Sequence, residues 1–241
     1  MAKFYGYDSF GCYNTPSVGE LRQMVKETLS KNKNYAPVVV EGTSRKICKS
    51  WWGDAWCRNL ERYADWENRI GRGKSYVRNG NVLDLKTDGG EIYAKVQGSR
   101  KTPYTIKITI DPIDKESCRR IEEQASGKIQ NLEALLTGTF PEELKDLFFK
   151  KNGLFPSPNE IHINCNCPDW AIMCKHVAAV LFGIGVRLDT NPIYFFKMRG
   201  IDLDKFIAKI VSGKVETMLK NANIVTPRVI QESEVTQLFG I

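Results

Sequence analysis

Three features of this 241-residue sequence predict an α+β protein. Apolar residues recur at helical spacing before residue 70 and again after residue 110; from about residue 75 to 110 they alternate instead. A cluster of three cysteines and a histidine at 165–176 then runs straight into an apolar helix. The expected architecture is a set of N-terminal helices packed on a four-stranded antiparallel meander. A helical connector follows, then a small ββα unit with C-terminal helices. The segments are 1–113, a basic α/β module with a Trp-rich helix and the meander; 114–155, the connector; 156–200, the cysteine-bearing unit; and 201–241, a C-terminal helical tail.

In chain order, "VGELRQMVKETLSK" at 18–31 reads as a helix with Leu21, Val25 and Leu29 on one side. "SWWGDAWCRNLERYADW" at 50–66 reads as a second, with Trp52, Trp56, Leu60 and Tyr63 on one face, Ser50 as N-cap and "GRG" at 71–73 as its stop. Trp51, Trp52 and Trp56 are expected in the core. The alternating region has hairpin signals at Asn79-Gly80 and at Asp88-Gly89-Gly90, and the connection "GSRKTP" leads into "YTIKITI". Pairing through those turns puts Tyr76, Leu83, Leu85, Ile92, Ala94, Val96, Ile106 and Ile108 on the core face. Asp84, Lys86, Glu91, Tyr93, Lys95, Gln97, Thr105 and Lys107 then lie on the other. Residues 114–151 read as helices broken at Gly127, Gly138 and Pro141. "NGLFPSPNE" marks a boundary or hinge. "TNPIYFFKMRG" and "LDKFIAKIV" are two further helices.

Hydrophobic residues make up 42% and charged residues 26%, ordinary globular values. The longest apolar run, Val177 to Val186, is shorter than the ~20 residues a bilayer needs. The N-terminus has no signal-peptide core, so a cytoplasmic protein is expected, with room for nucleoid association. The formal charge of +7 points to an anionic partner, nucleic acid first.

Cys165, Cys167, Cys174 and His176 form the pattern C-x-C-x6-C-x-H. Thiolates with an imidazole are a usual structural zinc set, and zinc takes four tetrahedral ligands. In an extended segment Cys165 and Cys167 point the same way. Cys174 and His176 return at the start of a helix whose buried face is Val177, Val180, Leu181 and Ile184. Its N-terminus and Lys175 favour the net −1 that three thiolates and Zn²⁺ carry. One structural zinc ion is expected. Cys12, Cys48, Cys57 and Cys118 are taken as free thiols.

This cluster, followed by a small-residue apolar helix, resembles the SWIM zinc finger over about residues 160–190. The segments "WWGDAWCRNLE" at 51–61, "GRGKSYVRNG" at 71–80 and "VQGSRKTPY" at 96–104 also look like prokaryotic SWIM-containing proteins. The resemblance implies binding to DNA or protein and, in prokaryotes, association with Swi/Snf-type helicase-like ATPases. It does not imply catalysis by the finger.

A catalytic zinc keeps an open position and a carboxylate base nearby. Here four strong ligands close the site. Asp169 reads as a turn cap and His162 as an exposed strand residue. No P-loop is present, so the protein is not expected to be an enzyme. Two groups of cations are candidate phosphate contacts: Arg58, Arg62, Arg69, Arg72, Lys74 and Arg78 around the Trp-rich helix, and Arg100 and Lys101 in a loop where Gly98 allows close backbone approach. Lys95 and Lys107 on the sheet are candidates as well. Trp170 and Lys175, beside the ligands, are candidate partner contacts. The expected function is that of a non-catalytic, zinc-binding, nucleic-acid-associated accessory or adapter of a Swi/Snf-type ATPase, with DNA favoured over RNA. The alternative is a protein–protein adapter without direct nucleic-acid contact; a zinc-dependent hydrolase is a third, weaker reading.

Overall fold

The structure is a computed structural model that describes residues 16–42, 46–62, 67–128, 148, 153–169, 171 and 173–222. The first helix, α1 (Val18–Lys31), begins at a capping box. The Ser17 hydroxyl accepts from the Glu20 N–H at 3.2 Å, and the Glu20 carboxylate accepts from the Ser17 N–H at 2.7 Å. The second, α2 (Trp51–Glu61), has Ser50 as its N-cap, as expected, with the hydroxyl accepting from Gly53 N–H at 3.0 Å. Trp56 is fully buried and Trp51 and Trp52 pack against the core. Tyr63, Asp65 and Trp66 lie outside the described residues.

The Gly71-Arg72-Gly73 stop does not occur, and residues 75–78 are not a strand. Both fall inside a third helix, α3 (Glu67–Arg78). Its buried positions, Ile70, Gly73 and Val77, follow helical spacing. Gly73 is small because α3 lies directly on a later helix: a Cβ there would stand 2.4 Å from the Ala178 Cβ. Asn79-Gly80 is the end of this helix rather than a hairpin turn. Gly80 has φ 73°. Gly80 N–H donates to Val77 O at 3.1 Å and Asn81 N–H to Tyr76 O at 3.0 Å, a Schellman ending.

The sheet does have four antiparallel strands, β1 (Val82–Asp88), β2 (Glu91–Val96), β3 (Tyr104–Ile110) and β4 (Ile161–Cys165), in that order. Three form the meander. The fourth comes from the cysteine-bearing segment, with Ile108 opposite Ile163 and Ile106 opposite Cys165. The turn at Gly89-Gly90 is as expected, Asp88 pairing with Glu91. Leu83, Leu85, Ile92, Ala94, Val96, Ile106 and Ile108 are all buried.

Two residues expected on the outer face, Asp84 and Gln97, are buried. A register shift between Val82 and Asp84 turns that end of β1 inward. Asp84 then accepts from Ala36 N–H at 2.9 Å, while the strand's outer edge is covered by the segment 36–38. Gln97 donates to Arg100 O at 2.7 Å and accepts from Thr28 at 3.1 Å, so both of these buried side chains have hydrogen-bond partners.

After α4 (Lys115–Lys128), whose described end lies at the expected break near Gly127, come a short 3₁₀ turn (Pro158–Glu160), α5 (Lys175–Thr190), α6 (Ile193–Met198) and α7 (Leu203–Ala222). The expected breaks at Gly138 and Pro141, and residues 223–241, lie outside the described residues. Every residue of α5 from His176 to Gly185 is buried, the mark of a helix enclosed on all sides. The helix packs on α2 and α3 on one flank and meets all four strands on the other. Trp56 Nε1 donates to Leu181 O at 2.8 Å. Asp189, near the end of α5, accepts from Lys49 and Ser50 N–H at 2.6 and 3.0 Å and so holds the start of α2. Cys48 and Cys57 are buried free thiols with sulfurs 3.4 Å apart. No described helix is long and apolar enough to cross a membrane.

Candidate metal centre

Three pieces of chain deliver the ligands. Cys165 ends β4 and Cys167 follows two residues further on. Cys174 is the N-cap of α5, and His176 lies in its first turn. Their four ligand atoms all lie within 4.8 Å of one another, and Cys174 Sγ is 3.7 Å from His176 Nδ1. A tetrahedron with zinc–sulfur bonds near 2.3 Å and a zinc–nitrogen bond near 2.0 Å separates its ligand atoms by roughly 3.5–3.8 Å. The protein has thus brought the donors to about the spacing zinc needs. Cys174 and His176 are buried; Cys165 and Cys167 are half-buried.

The thiols lie close enough to shift one another. A hydrogen bond from Cys165, above all, holds Cys174 down at about 4 against its burial, with help from His176 and the Val177 N–H. The same contact pushes Cys165 up, burial adding to it, and burial pushes Cys167 up. Thiolate ligands need a metal's charge to ionise together, and zinc supplies it.

The surroundings of the ligands are specific. Asp169, in the turn between Cys167 and Cys174, accepts from Ala171 N–H at 3.2 Å, the capping role expected of it. The Tyr104 ring lies 4.3 Å from the His176 imidazole at a 30° tilt, and the Tyr76 ring 5.6 Å away edge-on. Gly98 does allow a close backbone approach, but to His176: a Cβ there would be 2.8 Å from Nε2. That Nε2 is buried without a hydrogen-bond partner among the described residues. His162 sits on the exposed face of β4, 2.9 Å from Asp111.

The candidate phosphate contacts divide into groups. Arg58 pairs with Asp54 at 2.5 Å, Lys74 with Glu61 at 2.6 Å and Lys107 with Glu91 at 2.7 Å, while Lys95 donates to Thr105 at 2.7 Å. Arg62, Arg72, Arg78 and Lys101 are exposed. Lys175 lies 5.2 Å over the Tyr76 ring. Arg69 and Arg100 both turn toward the metal loop, Arg69 to Asp169 at 3.2 Å and Arg100 to Asn166 at 3.3 Å. Trp170 lies outside the described residues. Spacing gave the four ligands but not Asn166, Tyr76 or Tyr104. Asn166 carried the signal of its position between two ligands, while Tyr76 and Tyr104 lay inside the segments 71–80 and 96–104 that carried the resemblance, with nothing to tie them to the metal.

Residues 150–182 match the family model described as SWIM zinc finger. With the four ligands gathered as above, this segment is a SWIM zinc finger whose Cys165, Cys167, Cys174 and His176 are placed to bind one zinc ion. It is also 32% identical over 181 residues to a Mycobacterium tuberculosis (strain ATCC 25618 / H37Rv) protein, described as "Uncharacterized protein Rv2102". That alignment takes in 74% of this chain and 65% of the relative's own length. No solved structure matches this chain.

Proposed function

We propose that this protein is a non-catalytic, nucleic-acid-associated accessory that uses a zinc-stabilised surface to bind DNA. We propose further that it serves a Swi/Snf-type helicase-like ATPase in the cytoplasm or on the nucleoid, a part of the reading supported by the family resemblance alone. One observation carries the contact with DNA: cations collect around the metal centre. Lys175 lies between two ligands, Lys101 follows the arginine whose ring partner packs on His176, and Arg72 is exposed on the helix that Tyr76 ties to the site. Four protein ligands leave zinc no open position for substrate. Contacts of this kind bind phosphate without reading sequence and weaken steeply with salt.

The test is a salt titration of zinc-loaded protein against short single- and double-stranded DNA, with an Arg72→Glu/Lys101→Glu variant alongside. Salt-sensitive binding that the variant loses supports the reading, the slope of log K against log salt falling by about one per phosphate contact removed. No binding by the wild type at low salt rules out direct contact. A second reading, a protein–protein adapter, is favoured by one feature. Val211, Val215, Met218 and Leu219 on α7 are exposed apolar side chains, the last two more than 60% so. Binding to an isolated ATPase that barely responds to salt would favour that reading.

A further inference from the structure

Arg100 is far from the ligands in sequence yet touches both sides of the site. Its guanidinium donates to Asn166 Oδ1 at 3.3 Å, and the same oxygen accepts from Thr105 N–H at 2.9 Å. Asn166 lies between Cys165 and Cys167, so this contact fixes the short segment that presents two sulfurs. The guanidinium also lies 4.1 Å from the centre of the Tyr104 ring, the ring that packs on His176. Nε and Nη2 return to the loop's own backbone, at Thr102 O (2.9 Å) and Pro103 O (3.4 Å). Arg69 does for the other half of the loop what Arg100 does for the first. It donates from α3 to Asp169 Oδ1 at 3.2 Å, and that oxygen also accepts from Ala171 N–H at 3.2 Å. The pair is half-buried, with side chains 30% and 26% exposed, so solvent screens it only partly.

We propose that Arg100 and Arg69 are positioning residues of the zinc centre, Arg100 for Cys165, Cys167 and His176 and Arg69 for the turn between Cys167 and Cys174, and that phosphate contact falls to their neighbours Lys101 and Arg72. The second half rests on the nucleic-acid reading above; the first half does not. Groups that orient ligands from outside the coordination sphere set metal affinity, their loss costing about 10- to 100-fold. Each arginine here is already committed to two or more oxygen or ring partners, or to an ion pair inside the fold. Both also place positive charge beside a centre of net −1.

The experiment is competition for Zn²⁺ between the full chain and a chelating dye. Arg100→Gln and Arg69→Gln lose about 10- to 100-fold in zinc affinity, while Lys101→Gln and Arg72→Gln keep the wild-type value. Arg69→Lys, which retains the pair with Asp169, recovers most of the loss. With Co²⁺ at saturation in place of zinc, the visible bands of Arg100→Gln shift, because the sulfur and nitrogen donors are re-angled. A purely structural role would lower melting temperature and leave the spectrum and the zinc affinity of the folded protein unmoved. Wild-type zinc affinity in both glutamine variants overturns the assignment. So does a loss of DNA affinity in Arg100→Gln at saturating zinc equal to that in Lys101→Gln. If the wild type binds no DNA, the nucleic-acid reading fails while the zinc competition still decides the first half.

Discussion

Gly73 shows how one side chain can set a helix contact. Its missing Cβ lets the α3 backbone rest on Ala178, where an added methyl would stand 2.4 Å from another carbon and 2.9–3.0 Å from the Ala178–Ala179 backbone. Both neighbours are in helices, so neither yields cheaply. Gly73→Ala is therefore expected to destabilise the protein by about 1–3 kcal/mol despite alanine's better helix propensity, read as a lower urea midpoint with unchanged slope. An unchanged or raised midpoint would mean that α3 is not seated on α5 as described. At this scale the four ligands were legible, since zinc needs specific atoms at short range and the chain supplies them within twelve positions. Arg69 and Arg100 were read as surface charge. Their partners, Asp169 and Asn166, are 100 and 66 residues away, and composition carries no trace of such pairs.

Among the elements, α3 and β4 are where sequence and structure part. Glycines at 71 and 73 suggested a stop and Asn79-Gly80 a hairpin, because each signal has two physical meanings that only the packing separates. A glycine in a helix is a weak link in solvent but a necessity at a close crossing, and a positive-φ glycine closes a helix as well as a turn. The period-2 pattern at 82–110 gave β1 to β3 and their core face, but not the inward turn of Asp84 or the burial of Gln97. The partner of β3 was not legible, because some fifty residues separate it from Ile161.

The entry into β4 offers a pH test. Arg199, 2% exposed, donates to Glu160 Oε1 at 2.6 Å and to Asp111 O at 2.5 Å, joining the 3₁₀ turn to the end of β3. Burial opposes ionisation of Glu160, but hydrogen bonds from the Ser157 backbone and from Arg199 outweigh it and hold the carboxyl below 4.5. A carboxyl lowered on folding adds stability that is fully present above its unfolded value. That stability is lost as pH falls through the folded one. Melting temperature should therefore drop as pH falls below about 4.5, and Glu160→Gln, lower at neutral pH, should lose part of that acid dependence. Parallel acid limbs in the two proteins would show that Glu160 is not the group responsible.

At the scale of the molecule, α5 and β4 build the metal centre into the core of the described residues. The helix that begins with two ligands is the one buried between α2, α3 and the sheet, and the strand that ends in a third ligand closes that sheet. One hydrophobic cluster runs from Val38 to Phe206. Metal binding that orders Cys165–His176 accordingly supplies folding free energy to the whole core. Cys165→Ser or His176→Ala should lower the stability of the entire chain and abolish partner binding with it, checked by calorimetry and by the DNA titration on the same samples. Retention of both zinc and partner by either variant would mean that fewer than four ligands hold the metal.

Hydrogen exchange of the full chain before and after zinc is stripped by a chelator tests this most directly. The account predicts that protection falls together in the finger, in α2 and α3, and in β1 to β3, because all share α5 as their floor. Loss confined to residues 156–200, with the meander and α2 as protected as before, would contradict it and show the zinc centre to be a separate folding unit.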